Sequence, residues 1–399
     1  MDKITQLIEK GVQIPNPQSV EIAEDIDIDR IAGQGVTIHP GCRIRGGETL
    51  ICQGAQIGAE GLATVVDCYV GPQVSLKGGF FQGAVFLKKS SCGLGAHVRQ
   101  GTILEEEASI AHTVGLKQTI LLPFVTLGSL INFCDCLMAG GTSRQNHSEV
   151  GSSYIHFNFT PNQDKATPSL IGDVPRGVML NQSPIFLGGQ GGLVGPCRLA
   201  FGTVVAAGTI CRKDQLKENF LVMEAGPKSA RLPFKPGGYR NVKRILNHNF
   251  NYIGNLIALY HWYLNIRRQF TGPEFTQELF DGLISILNTC IDERLKQLEK
   301  LREKLGQDQN TGTGSLESRL VSRWPQILDP MKNPDNFKGA AILGDEFCEM
   351  IARQIKVQGK DYLSVIKGLN HDLASTGSQW LQSIVDQVAG NSTAILDAE

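Results

Sequence analysis

The chain has 399 residues, 41% of them apolar, enough for two or three domains with buried cores. Thirty-eight Lys and Arg stand against thirty-nine Asp and Glu, so no overall basic field exists to attract nucleic acid or anionic lipid. No run approaches the roughly 18 apolar residues that span a bilayer, the start MDKITQLIEK lacks the features of a signal peptide, and ten Cys without a CxxC suit reduced thiols, so a cytoplasmic protein is expected.

Residues 1–19 read as a lead-in with one short helix over about 2–10. The 45 Gly then crowd into the first 240 residues, where many tight corners are needed. Stepping by six from Ile38 meets Ile44, Leu50, Gln56, Leu62, Cys68, Val74, Phe80, Phe86, Cys92, Val98, Leu104, Ile110, Leu116 and Leu122, with Gln56 the one polar residue. Chance would give this with probability on the order of 10⁻⁵ before any penalty for choosing the phase. Two residues earlier come small side chains: Gly78, Ala84, Ser90, Ala96, Thr102 and Ala108. A period of six fits neither a helix nor strand alternation. It fits a solenoid of short strands and corners in which each aliphatic side chain stacks on its equivalent three hexads away.

The phase breaks between about 125 and 185, where CDC at 134–136, GGTSRQNHSEVG at 140–151 and HFNFTPNQDKATP at 156–168 gather the polar residues. Binding groups are expected in these departures from the solenoid. The hexads return as Leu187, Leu193, Leu199, Val205 and Cys211. Cys134 and Cys136 alternate and would share a face, but with His147 they make only three ligands at no standard spacing, and no metal site is expected. Glu105, Glu106 and Glu107 and the charges at 292–304 read as solvated faces.

After PFKPGGYR at 233–240 the apolar spacing becomes three and four, over 241–269, again after Pro273, and then around 316–328, 340–357 and 361–388, with QDQNTGTGS at 307–315 as a loop. The expected organisation is a solenoid over 20–235, an α-helical domain over 236–392, and a tail at 393–399.

From His147 to Val222 the stretches SEVGSSYIHFNFTPNQDKATPSLIGD, IFLGGQGGLVGP and FGTVVAAGTICRKD resemble the acetyltransferase half of the bifunctional enzymes that acetylate glucosamine 1-phosphate and then transfer uridylyl to it. The resemblance implies a left-handed parallel β-helix of hexapeptide repeats, acetyl-CoA as co-substrate, and a homotrimer whose active sites are shared between neighbouring chains. Asn158 and Lys165 match the family's ligands for a sugar phosphate, and Phe159 stands where the family has Tyr. The family's catalytic His matches His147, displaced by about two hexads, and His156 competes with it because it shares a strand face with Asn158. Arg176 is a further candidate for anion binding, as are Arg212 and Lys213. Backbone at Gly188, Gly189, Gly191, Gly192, Ala206, Ala207 and Gly208 matches the family's acetyl-CoA cleft, with Gly189 in place of a Ser. These glycines lie within hexads and open no helix, which rules out a Rossmann fingerprint. No Gly-rich nucleotide loop stands in this sequence, so uridylyl transfer is not expected. Two readings remain open: an acyltransferase for an amino-sugar phosphate or nucleotide sugar, and a non-catalytic sugar-nucleotide-binding or scaffold protein whose helical domain recruits a protein partner.

Overall fold

The computed structural model describes residues 2–162, 164–224, 226, 229, 231, 233, 241–306 and 316–398. A short helix, α1 (Lys3–Glu9), capped by the Asp2 carboxylate accepting from Thr5 N–H, leads into a parallel β-solenoid of about eleven turns over residues 21–222. Every strand pairing between coils is parallel, and the strands fall on three faces. One face is a ten-stranded ladder from Thr37–Ile38 to Leu221–Val222. The other two merge at Gly115–Leu121 and Asn132–Met138, strands long enough to bend around a corner.

Hexad side chains do point inward: Ile38, Ile44, Phe86, Cys92, Val98, Leu104, Ile110 and Leu116 are buried, and so are Ala84, Ser90, Ala96, Thr102 and Ala108, which occupy the narrow corners. Each aliphatic side chain removed from water contributes about 1.5–3 kcal/mol, which holds a stack of very short strands together. The stacking, however, is not uniformly three hexads. On the ten-stranded face Ile38 sits over Ile57, Ile57 over Leu76 and Leu76 over Cys92, coils of 19, 19 and 16 residues that return to phase only at Cys92. Within this slip Gln56 turns away from the interior and Leu62 is 62% exposed, while Ile57 and Val65 fill the core. Further on, coils of 23 and 37 residues separate Leu127 from Val150 and Val150 from Leu187, which is where the phase was seen to break.

Corners repeat from coil to coil. At one of them Gly95, Thr113, Leu130, Ser153, Gln190 and Gly208 all hold positive φ, each amide reaching the coil above. Only some of these positions use Gly, so its abundance accounts for part of the corners. Another corner passes through Asp135 at φ 61. It turns the strand between Cys134 and Cys136, so that Cys136 is buried inside and Cys134 is half-buried outside. The two thiols therefore do not share a face as simple alternation suggests.

The helical region comprises α3 (Val242–Asn265), α4 (Gln277–Gly306), α5 (Leu316–Ser322), α6 (Trp324–Met331), α7 (Ala341–Gln358), α8 (Tyr362–Lys367) and α9 (His371–Asp397); α2 (Val174–Gly177) is a single turn inside the solenoid. The expected boundary at 235–236 and the loop at 307–315 lie outside the described residues. Of the segment 393–399, read as a tail, residues 393–397 form the end of α9. Helices α3 and α4 lie against the solenoid face built from Tyr69–Val70, Ala84–Phe86, Thr102–Leu104 and Ser169–Ile171.

This contact overturns the expectation of solvated charges at Glu105, Glu106 and Arg294, while Asp292, Lys296, Lys300 and Glu303 are exposed. Glu105 and Glu106 are buried: Glu105 accepts from Tyr263 Oη at 2.5 Å, and Glu106 pairs with Arg267. Arg294, on α4, is 1% exposed and places Nη2 2.5 Å from Asp135 Oδ1. At the last coils Asp214 receives Arg244 at 3.2 Å and His248 at 3.1 Å, and Asn249 donates to the Ala166 carbonyl at 3.0 Å. At each of these three ion-paired places the carboxylate comes from the solenoid and the cation from a helix. The amphipathic pattern of 292–304 misses this because its second polar side meets another domain instead of water.

Candidate functional site

The candidate residues descend from three insertions into an otherwise regular prism. After Met138 the chain leaves the helix-covered face and makes a hairpin, Gly141–Ser143 against Asn146–His147, before joining the ten-stranded face at Glu149–Val150. His147 is on this corner. Its Nδ1 lies 2.8 Å from the Arg144 carbonyl and donates to it, which leaves Nε2 as the ring nitrogen outside that bond. Nε2 is 3.7 Å from Glu149, and the side chain is 19% exposed. Such an imidazole is oriented, reachable and in the tautomer that a base requires.

His156 is placed otherwise. It is 3% exposed, with Nδ1 2.5 Å from the Cys134 carbonyl and Nε2 2.8 Å from Ser169 Oγ. Ser169 in turn accepts from Cys197 N–H at 3.1 Å. Both ring nitrogens are spent inside the prism, and burial pulls the imidazole down to about 4. It holds coils together as a neutral ring.

Asn158 follows the strand Ile155–Phe157 and opens the loop to Ser169, on the corner lying across the helix-covered face from His147. Its Nδ2 donates to Asp135 Oδ2 at 2.6 Å, and Thr167 Oγ1 donates to its carbonyl at 2.6 Å. The Lys165 carbonyl accepts from Arg294 at 3.1 Å, which fixes the loop that carries the half-buried Lys165 side chain, while Phe159 is exposed. Arg294 is the functional neighbour that the sequence concealed: it sets Asp135, which sets the Asn158 amide.

The glycine segment lies on the remaining corner. A Cβ on Gly188 would stand 2.3 Å from Ala207 N, and one on Gly189 2.7 Å from the Ser152 carbonyl. Gly191 and Gly192 are equally tight against Thr209 and the Phe157 ring. Close stacking of coils therefore already demands these glycines, whereas Gly208, at φ +74, has nothing within 4 Å and faces outward. Asp173 caps α2 by accepting from the Arg176 N–H, and the Arg176 guanidinium pairs with Asp173 at 2.6 Å and with Glu218 and lies 4.8 Å from the Phe201 ring centre. Both carboxylates hold it, leaving it little reach toward a ligand.

Within one chain, then, the candidate base His147, the candidate acceptor ligands Asn158 and Lys165 and the candidate thioester cleft occupy three different corners of the prism. No single cleft of one chain gathers them.

No protein-family profile matches the sequence. Among individual proteins, the chain is 27% identical over 214 residues to the bifunctional protein GlmU of Thermotoga petrophila, covering 54% of this chain and 42% of that protein. GlmU of Nitratidesulfovibrio vulgaris is 27% identical over 234 residues, covering 57% and 45%, and GlmU of Pelobacter propionicus 26% over 209 residues, covering 52% and 40%. The chain spans about two fifths of the length of the curated relatives it matches. Over about half of its own length, which holds the solenoid, this protein is similar to the acetyltransferase part of GlmU proteins.

Proposed function

We propose that the protein is a hexapeptide-repeat acyltransferase that acetylates an amino-sugar phosphate or nucleotide sugar from acetyl-CoA, in a site completed between neighbouring copies of a homotrimer. The observation that carries this reading is the His147 imidazole, whose Nδ1 is fixed on a carbonyl, whose Nε2 lies 3.7 Å from the Glu149 carboxylate, and whose side chain is partly exposed. In this scheme Nε2 takes the proton from the acceptor amine or hydroxyl as that group attacks the thioester carbonyl, and the CoA thiolate leaves. Asn158 and Lys165 of one chain hold the acceptor. The outward corner at Ala206 to Gly208 of a neighbour, stacked on Gly188, meets the pantetheine, which reconciles three separate corners with one reaction. Ten free thiols suit a reducing, cytoplasmic setting. Among the described residues no helix is long and apolar enough to cross a membrane.

A second reading is favoured by the donors already spent within the chain. With Asn158 on Asp135, Arg176 on two carboxylates, and Phe159 without a hydroxyl, the solenoid would serve as a sugar-nucleotide-binding or trimeric scaffold whose helices recruit a protein partner. Titrating the purified chain calorimetrically with acetyl-CoA, glucosamine 1-phosphate and UDP-N-acetylglucosamine, singly and in pairs, separates the two. Acetyl-CoA binding strengthened by an amino sugar, with turnover lost in His147→Ala, supports the enzyme. Nucleotide-sugar binding without turnover supports the scaffold, and a monomer by light scattering removes the shared site.

A further inference from the structure

A cavity of about 880 Å³ lies away from the glycine corner, at the seam between the solenoid and the helices. Its solenoid wall is a corner file in which Lys89, Glu107 and Phe124 stand on successive coils, roughly 4.8 Å apart, all at positive φ between 57° and 71°. The hairpin contributes Arg144, and the helical region contributes Arg267, Lys360 and Lys367.

The charges in this cavity do not cancel. Lys88, Lys89, Arg144, Arg267, Lys360 and Lys367 line it, against Glu106, Glu107, Glu274 and Asp361. Glu106 is taken by Arg267 and Glu274 by Lys88, and Asp361 accepts from the Ser364 amide at 2.8 Å. Four cations have no carboxylate partner among the described ion pairs. Lys89 is exposed at the rim, Lys360 reaches only the Thr271 carbonyl at 2.6 Å, and Lys367 stands 5.7 Å from the Phe124 ring centre. Arg144 spends Nη1 on the Glu107 and Phe124 carbonyls and Thr126 Oγ1.

Deeper in, Arg267 is 1% exposed, and its Nε and Nη1 have no hydrogen-bond partner. Its guanidinium lies 3.7 Å from the Tyr362 ring centre and 4.6 Å from that of Phe275. Phe124, Phe270, Phe275 and Tyr362 thus give the cavity an aromatic lining below its cationic rim.

We propose that this interdomain cavity is a binding site for a phosphorylated small molecule of nucleotide size, its phosphates on Lys89, Arg144, Lys360 and Lys367 and its planar group against the Phe124, Phe275 and Tyr362 rings. The volume falls in the range that organic ligands fill, and the four cations outside ion pairs outnumber the Glu107 and Asp361 carboxylates beside them by two, which favours an anion. A planar base offers the π surface that the rings and guanidinium stack upon. The site is distinct from the glycine corner assigned above to the thioester. Because the Arg144 carbonyl holds His147 while its guanidinium lines the cavity, a ligand here would touch the hairpin that carries the proposed base. The binding proposal itself does not depend on catalysis.

Calorimetric titration of the full chain with ADP, with inorganic pyrophosphate and with CoA tests it, alongside the double variant Lys89→Gln/Lys367→Gln. Both lysines are exposed, so folding should be unaffected, and Lys296→Gln/Lys300→Gln on α4 controls for loss of surface charge. ADP is expected to bind saturably and more tightly than pyrophosphate, with affinity falling at least about tenfold in the first variant and remaining unchanged in the control. Failure of ADP to bind, or binding that the first variant leaves intact, overturns the site. Pyrophosphate matching ADP overturns the role of the aromatic lining. CoA binding that survives the variant belongs to the glycine corner and leaves the ADP result to decide.

Discussion

Replacing Arg294 by Met strips a buried carboxylate of the one cation that pairs with it among the described residues. Asp135 is 3% exposed; Oδ1 accepts from Arg294 Nη2 at 2.5 Å and Oδ2 from Asn158 Nδ2 at 2.6 Å. In Arg294→Met the Asn158 amide remains, but the carboxylate must stay charged without a counter-ion or take up a proton in the folded state. Breaking one side of a buried pair typically costs about 3–5 kcal/mol, and the lost bond to the Lys165 carbonyl adds about 1 kcal/mol. Asp135→Asn in the same background removes the stranded charge, keeps an acceptor for Asn158, and suits the positive φ of that position. The double variant should therefore recover most of the loss. Urea unfolding of the wild type, both single variants and the double variant closes the cycle. A loss below about 1 kcal/mol for Arg294→Met, or no recovery in the double variant, would refute the argument that this pair pins the helices to the solenoid.

The stability profile against pH should carry two opposing slopes. Burial raises the Glu105 carboxyl, with Glu106 adding to it, from 4.5 to about 7, so folding is favoured by its protonated form and stability falls as pH rises from about 4.5 to 7. His156, lowered by burial from 6.5 to about 4, is folded as the neutral ring, so its contribution is full above 6.5 and is lost as pH falls toward 4. Glu105→Gln should expose the His156 slope and His156→Gln the Glu105 slope in melting curves between pH 4 and 7.5; unchanged profiles would show that neither group titrates in this way. Gly188→Ala forces a Cβ to 2.3 Å from a backbone nitrogen and should cost about 1–3 kcal/mol, read as a lowered urea midpoint, with full stability counting against the stacked-coil reading. His147→Ala should leave the melting temperature nearly unchanged while removing acetyl transfer, and His156→Ala should lower stability by about 1–3 kcal/mol through its two lost partners.

By itself the sequence specified a solenoid and a helical region, because inward stacking needs an aliphatic residue at each turn of the wall and that need is written as a local period. The same period hid the slip between Ile38 and Cys92: one extra residue can be absorbed at an outward corner, and Leu62 satisfied the count while lying off the core, with Gln56 the single polar break in the series. The departures at 140–151 and 156–168 were legible as insertions for the reverse reason, since no hexad grammar fits them. Their relation was not legible. His147 and Asn158 are eleven residues apart in the chain yet stand on different corners, because an insertion's position around the prism depends on which face it interrupts. Cys134 and Cys136 were parted by a corner at Asp135 that alternation cannot foresee. Glu105, Glu106 and Arg294 looked like solvent-facing charges, and their burial arises from pairings some 158 to 161 residues distant. Local patterning records which side of an element is polar; whether that side meets water or a complementary charge is decided only when the helices close over the solenoid.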